Sequence, residues 1–399
     1  MARSKVRRTL RFENLEARQL LSTGGPTDEE QYMLQLINEA RTNPAAAEAQ
    51  ITNNLSPQVQ ATLQYYNVNL QAVQQTIANS TPQPPVAWNA NLASAATAQS
   101  TYMAQNQVQS HIGANGSTPL QRIQQAGYTN VVSNNENAYA YSSSALESME
   151  AFLIDWGVPS DGHRITIQQP GVSPQNAYRD VGLGIVQTPS NSSVGPEVVT
   201  QDFASQANEQ AQVVGVAYYD NAQTNFYQPG EGQGGLQIDA VNLQTGQVAS
   251  TQTWDSGGYE LSLAPGQYQI IASLNDQVFQ TTNVTVGNVN IEQDFVLTNS
   301  WQGGTRESAI AAAMPVVAPT PTPTPAVTPT PTPTPTVTPA PMPTITPTPT
   351  VTITPLAAQA ATVSVTQAAS QQASASTNTP SSVLSLFANR WSAWNASPI

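Results

Sequence analysis

The sequence predicts an α+β domain, followed by an all-β sandwich domain and a disordered tail rich in proline and threonine. Segments with apolar residues at helical spacing fill the first part of the chain and end in two alternating strands. Short alternating segments follow, separated by Gly, Pro and Asn. From residue 315 to residue 355 about every third residue is proline, which favours an extended spacer over a packed core.

We expect five sections along the 399 residues. They are a basic export-type leader (1–26), the α+β domain (27–206), the β-sandwich (212–300), a Pro/Thr-rich linker (301–355) and a low-complexity tail (356–399).

The α+β domain begins with a strong helix signal. Thr27 and Glu30 stand at capping-box spacing, and apolar residues then recur on one face until Pro44, which should end or kink the helix. Apolar spacing predicts further helices over 56–78 and 89–106, in "TPLQRIQQAGY" and in "SSALESMEAFLID". The strands "DVGLGIVQT" and "EVVTQDFAS" close the domain.

The β-sandwich is predicted from six short segments separated by turn residues. These segments are "VVGVAYYD", "GGLQIDAVNL", "QVASTQTW", "GYELSL", "GQYQIIASL" and "NVNIEQDFVL".

Composition excludes several classes of function. The chain has no cysteine, so disulfides and Cys-ligated metal centres are excluded. Its net charge is −13, and six of its 12 Lys and Arg residues lie within the first 18 positions. The acidic remainder has few cations to neutralise phosphates, so we expect no nucleic-acid partner. No apolar segment approaches the roughly 20 residues that span a bilayer, and we expect no transmembrane segment.

Only two histidines occur, His111 and His163, with Glu136 between them in the sequence. Two imidazoles and a carboxylate can hold a divalent ion such as zinc in an open site. Alternatively, a carboxylate can orient one histidine as a proton acceptor. The spacing alone leaves both possibilities open, together with a purely structural role.

The leader resembles a known export-associated segment. "RTLRFENLEARQLLS" resembles the LEPR-XLL segment of exported proteins from planctomycete-type bacteria, although Glu16-Ala17-Arg18 replaces its Glu-Pro-Arg core. The resemblance implies export, and the alternative is a disordered basic leader.

The α+β domain resembles the CAP superfamily, which unites cysteine-rich secretory, antigen-five and pathogenesis-related-one proteins. The similar segments cover about residues 28–206 and follow the order of the family. They are "LQLINEARTNPAA", "PPVAWNANLASAATAQSTYMA", "SHIGANGSTPLQRIQQAGY", "ENAYA", "SDGHRITIQQP" with "RDVGLGI", and "VVTQDFA". The resemblance implies an α-β-α sandwich with a central cavity lined by two histidines and two acidic residues.

Residue by residue, the resemblance assigns His111, His163 and Glu136 to that cavity. For the second acid we expect Asp155, with Asp161 as the alternative. A Ser/His/Glu hydrolase using Ser160 is not expected, because no Gly-x-Ser-x-Gly turn surrounds that serine.

The β-sandwich contains a loop, "YYDNAQTNFYQPGEG", that resembles calcium loops of Ig-like or prealbumin-like (SdrB-like) modules. Asp220 and Glu231 stand at its first and twelfth positions. Ala222, Thr224 and Gln228 replace oxygen ligands. We therefore expect a degenerate loop that connects two strands without binding calcium.

Three functions remain in view. The first is an extracellular or cell-surface protein whose cavity binds a divalent metal or a small-molecule, lipid or peptide ligand. The second is a metal- or His/Glu-dependent peptidase. The resemblance implies no single reaction, and we expect a non-enzymatic function before an enzymatic one. The third is a structural adhesion module, with possible association of the chain with the cell envelope.

Overall fold

A computed structural model describes residues 25–298 and 302–315. The predicted tail, and most of the predicted leader and linker, lie outside these residues. Within the described residues no helix combines the length and the apolar character needed to cross a membrane.

The N-terminal part is mostly helical. Its helices are α1 (Asp28–Thr42), α2 (Pro44–Thr52), α3 (Pro57–Tyr65), α4 (Leu70–Ala78), α5 (Ala90–Asn106), α6 (Pro119–Gln125), α7 (Ala145–Ile154) and α8 (Gly162–Gln168). The predicted capping box is present at the start of α1, where the Glu30 N–H donates to Thr27 Oγ1 and the Thr27 N–H to Glu30 Oε2. Pro44 ends α1 as predicted and occupies the first position of α2.

The single helix predicted over residues 56–78 is two helices in the structure. Asn67 adopts a positive φ of 50°, which L-residues other than Asn and Asp rarely accept, and so interrupts the helical path. Asn69 then caps α4 by accepting a hydrogen bond from the Ala72 N–H at 3.2 Å.

Four strands form a sheet at the centre of this part: β1 (Ala87–Trp88), β2 (Val131–Ser142), β3 (Asp180–Gln187) and β4 (Glu197–Gln206). Their order is β1-β3-β4-β2, so β2 forms one edge of the sheet and β1 the other. Only the β1–β3 pair is parallel.

Helices cover both faces of this sheet. Leu183 and Phe203 pack in one core with residues of α1 and α7, whereas Ala204 packs with Leu92 of α5. Helix α5 lies very close to β3, because a Cβ at Gly182 or Gly184 would come within 2.0 or 2.3 Å of its backbone. The result is an α+β arrangement with helices on either side of a mixed sheet.

The C-terminal part consists of strands β5 (Gln212–Tyr218), β6 (Gln237–Asn242), β7 (Val248–Gln252), β8 (Gly258–Ser262), β9 (Gly266–Leu274), β10 (Gln277–Val286), β11 (Ile291–Glu292) and β12 (Phe295–Val296). One sheet has the order β10-β9-β6-β7. In the other, β5 pairs with β8, β11 and β12. Apolar side chains from both sheets, including Val213, Ile238, Ile270 and Phe295, share one core.

Helix α9 (Arg306–Ala313) lies inside the range predicted as linker. Its apolar residues Ala309, Ile310 and Ala313 pack with Val241 and Ile271 of the four-stranded sheet. The composition-based boundary overlooks this helix, whose apolar residues recur at helical spacing just before the proline-rich repeat begins.

Candidate functional site

His111 lies in the loop that follows α5. Arg122 of α6 shapes this loop, since its Nη1 donates to the backbone carbonyls of His111 at 3.0 Å and Ser117 at 2.8 Å. The imidazole Nδ1 lies 2.7 Å from Glu136 Oε1. The His111 side chain is 30% exposed while that of Glu136 is 1% exposed, so a buried carboxylate holds an imidazole that reaches solvent.

Glu136 lies on edge strand β2 and has two partners. Its Oε1 contacts His111, and its Oε2 accepts a short hydrogen bond from Arg122 Nη2. Arg122 is itself buried, so it compensates the Glu136 carboxylate inside the protein. Both oxygens of Glu136 are therefore already engaged.

His163 lies at the start of α8 and is buried. Its Nδ1 is 2.7 Å from Asp155 Oδ1, and its ring lies 5.2 Å from that of Phe152. Asp155 ends α7 in the left-handed conformation, with a φ of 60°. Its Oδ2 accepts the backbone N–H groups of His163 at 3.0 Å and Arg164 at 3.1 Å, so one carboxylate both caps α8 and orients the imidazole.

Of the two candidates for the second acid, Asp155 contacts His163, whereas Asp161 pairs with Arg164 Nη2 at 2.5 Å. Arg164 also donates to the Leu153 carbonyl, in keeping with a structural role for this arginine.

Strand β2 joins the two carboxylate–histidine pairs. Asn137, the residue after Glu136, donates its side chain to the His163 carbonyl at 3.3 Å. Asn135, the residue before it, donates to Thr166 of α8 at 3.0 Å. Successive residues of a strand point to opposite faces. One short section of an edge strand thus anchors His111 through one face and the His163 segment through the other.

The contacts of Glu136 and Asp155 bear on how the expected site residues could hold a ligand. Both carboxylates contact Nδ1, so any ligand of these imidazoles would bind at Nε2. Glu136 orients His111 and would lose its present partners if it coordinated a metal itself. Over residues 25–298 and 302–315, no group of three His, Asp or Glu side chains is arranged to hold a metal ion.

Two further residues of the site are not identified from the sequence. The first is Arg122. It lies in a short helix after the His111 loop, and apart from its charge nothing in the sequence there indicates that it belongs to the site. Asp202 is the other; it lies directly opposite Glu136 in the β2–β4 register and is buried. Burial, and then the charge of Glu136, raise the pKa of Asp202 well above its usual value, while Arg122 opposes the rise. A lone Asp inside the apolar strand "VVTQDFA" was the available signal.

Tyr139 and Ser160 occupy different environments. Tyr139 is buried and its ring lies about 6 Å from those of Phe152 and Trp156, which indicates packing rather than chemistry. Burial raises the pKa of Tyr139. Ser160 is exposed in the turn before α8.

The predicted calcium-like loop is closed by its own backbone. Asp220 accepts the N–H groups of Thr224 at 2.9 Å and Asn225 at 3.0 Å. Glu231 accepts those of Ala222 at 2.8 Å and Gln228 at 3.0 Å. The carboxylate oxygens that would bind calcium thus bind loop amides, and the loop connects β5 to β6.

Comparisons with known proteins place the site in a family context. Residues 34–228 match the family model described as CAP, the cysteine-rich secretory protein family. No curated protein gave a significant match.

Two solved structures are similar to parts of the chain. One is an extracellular protein containing an SCP domain from Bacillus anthracis, with 20% identity and a TM-score of 0.25 over 38% of this chain and 45% of that one, less than half its length. The other is an outer surface protein from Borrelia burgdorferi, with 14% identity and a TM-score of 0.25 over 38% of this chain and 97% of that one.

Proposed function

We propose that this chain is a CAP-domain protein that acts outside the cell and binds a divalent metal ion, with Nε2 of His111 and Nε2 of His163 as the candidate nitrogen donors. The extracellular location is supported by the match to a family of secretory proteins. Metal binding is supported by one observation above all: each histidine has its Nδ1 2.7 Å from a buried carboxylate.

The carboxylates prepare the imidazoles for a ligand. A neutral histidine that donates Nδ1–H to a carboxylate presents its basic nitrogen at Nε2, and most metal-binding histidines have such a partner. Arg122 fixes Glu136, and two backbone N–H groups fix Asp155. The ring orientations are therefore set before any ligand arrives.

Nitrogen donors determine which ion fits. Imidazole suits zinc, copper and nickel, whereas magnesium and calcium prefer oxygen ligands. With two protein donors, water or a small ligand would complete the coordination of the ion. We expect such a site to bind zinc more weakly than one with three protein ligands.

Calorimetric titration of the full chain with zinc chloride tests the proposal. His111→Ala and His163→Ala should each abolish most of the binding heat. Because these are the only histidines, the imidazole NMR signals identify each ring without ambiguity. Zinc that leaves both signals unmoved, or binds His111→Ala with the affinity of the unmodified chain, refutes the proposal.

The alternative is a peptidase in which His111 and Glu136 act as a proton acceptor. The partly exposed imidazole of His111 on a buried carboxylate favours it, since a general base must reach its substrate. Cleavage of casein should then fall at least about 100-fold in Glu136→Gln, within the usual range for a lost general base. Equal background cleavage by both proteins rejects this function.

A further inference from the structure

The junction between the helical domain and the C-terminal strands is tightly packed. Val216 and Tyr218 of β5 share a core with Met33 and Ile37 of α1. Asn290 spans the junction, donating to the carbonyls of Pro85 at 3.2 Å and Arg179 at 2.8 Å. The two parts therefore form a continuous interior rather than a loose pair.

Acidic groups from both sides meet at one end of this junction. Asp180 belongs to β3, Glu209 to the connection before β5, and Glu260 to β8. Tyr128 donates to Asp180 Oδ2 at 2.7 Å. Asp180 is 1% exposed, and Oε2 of Glu260 is buried with no hydrogen-bond partner among the described residues.

Arg179, next to Asp180 in the sequence, donates to backbone carbonyls of this region. Arg179 directs Nη1 to the Glu209 carbonyl at 3.0 Å and Nη2 to the Asn288 carbonyl at 2.5 Å. Burial, followed by the charges of Glu209 and Glu260, raises the pKa of Asp180 well above its usual value. Burial and Glu209 raise the pKa of Glu260 to about 8.

A second acidic group lies between α1 and the last strands. It consists of Glu39, Glu292 and Asp294. Asp294 Oδ1 accepts a hydrogen bond from the Val216 N–H at 2.8 Å. After burial, the charge of Asp294 is the next cause of the raised pKa of Tyr218 and of Tyr259. Burial, followed by the charge of Glu39, raises the pKa of Asp294 to about 6. Burial, followed by the charges of Asp294 and Glu39, raises the pKa of Glu292 well above its usual value, and a hydrogen bond from Thr42 partly offsets this rise.

We propose that protons held by these two groups of carboxyls close the junction, and that the C-terminal strands loosen from the helical domain as the pH rises. A charged carboxyl that is buried without a cation is costly, and separation of the two surfaces returns it to water.

The direction follows from proton linkage. The closed junction binds protons more tightly than the opened one, so its stabilisation is complete below the usual carboxyl range. It is lost as the pH rises through about 6 for Asp294 and about 8 for Glu260. For one released proton, the opening equilibrium constant should rise about tenfold per pH unit until that upper value is reached.

Amide hydrogen exchange of the full chain between pH 5 and 9, corrected for base catalysis of the exchange step, measures this opening. Strands β5 and β8 should lose protection with the predicted slope, while the β9–β10 hairpin keeps its protection. Glu260→Gln should flatten the slope at β8. The matched control Glu307→Gln alters an exposed side chain of α9 and should leave the slope unchanged.

Glu209→Gln provides a second variant, because Glu209 raises the pKa of both Asp180 and Glu260. In the Glu209→Gln variant, the pH-dependent loss of protection of β5 and β8 should level off at a lower pH than in the unmodified chain. Protection of β5 and β8 that is equal at pH 6 and pH 9 in the unmodified chain overturns the proposal. The proposal is also overturned if the pH at which the loss of protection levels off is the same in Glu260→Gln, in Glu209→Gln and in the unmodified chain.

Discussion

Glu136 and Asp155 beside the histidines and Asp180 at the junction are all buried, yet they have opposite surroundings. Glu136 contacts an arginine and an imidazole, and Asp155 contacts an imidazole and two backbone N–H groups. At the junction, burial is the largest cause of the raised pKa of Asp180 and of Glu260, and the charge of Glu209 is the next. The first set is compensated by donors, and the second is compensated by protons.

The scarcity of cations explains this division. Between residues 25 and 315 the chain has five arginines and no lysine. Arg122, Arg164 and Arg306 pair with carboxylates, whereas Arg41 and Arg179 bind backbone carbonyls. With so few cations between residues 25 and 315, most buried acids there must have another kind of partner.

Removal of Arg122 should have the largest effect on stability. Arg122→Met leaves Glu136 buried beside Asp202 without its cation, and we expect a loss of about 3–5 kcal/mol. Urea unfolding of the full chain measures it. A loss below about 1 kcal/mol would mean that His111 alone compensates Glu136.

Arg306 provides the same test far from the histidines. Its guanidinium pairs with Asp239, which is fully buried, and joins α9 to the four-stranded sheet. Arg306→Met should cost about 2–3 kcal/mol, because the Asp239 carboxylate keeps only Ser250 as a side-chain partner. Unfolding curves that overlay those of the unmodified chain would contradict this expectation.

Asp155 and Asp161 offer a matched pair of substitutions. Asp155→Asn should weaken zinc binding about 10–100-fold, since the histidine loses the partner that sets its orientation. Asp161→Asn changes the same residue type six positions away, where it contacts Arg164 instead, and should leave zinc affinity unchanged. Equal effects of the two substitutions in calorimetry would rule out an orienting role for Asp155.

Asp202 should give the smallest effect. Burial and then Glu136 raise the pKa of Asp202 well above its usual value, which favours its neutral form, and Asp202→Asn places a neutral group of the same shape there. The unfolding free energy at pH 7 should change by less than about 1 kcal/mol. A marked gain in stability would indicate that Asp202 is charged and repels Glu136.

Local signals in the sequence predict much of the fold. The capping box at Thr27, the turn residues between the C-terminal strands and the apolar spacing of α5 and α7 are all short-range patterns. The break at Asn67 and the short helix α8 were missed, because a left-handed residue and a seven-residue helix leave little periodicity.

The candidate site divides in the same way. The rarity of histidine and the family resemblance single out His111, Glu136, His163 and Asp155. Their division into two pairs depends on the register of β2 and on which imidazole nitrogen each carboxylate meets, and neither is encoded locally. Arg122 and Asp202 reach Glu136 only through tertiary contacts, so no spacing rule could have found them.

The close approach of α5 to β3 ties the candidate site to two residues that carry no functional group. Gly182 and Gly184 let the helix backbone rest directly on the strand, and the loop bearing His111 leaves the far end of that same helix. A methyl group added at Gly184 would lie 2.3 Å from the backbone nitrogen of Thr97, so the helix and the strand would have to move apart. The position of the helix that leads to the His111 loop is thus controlled by the absence of side-chain volume in the sheet.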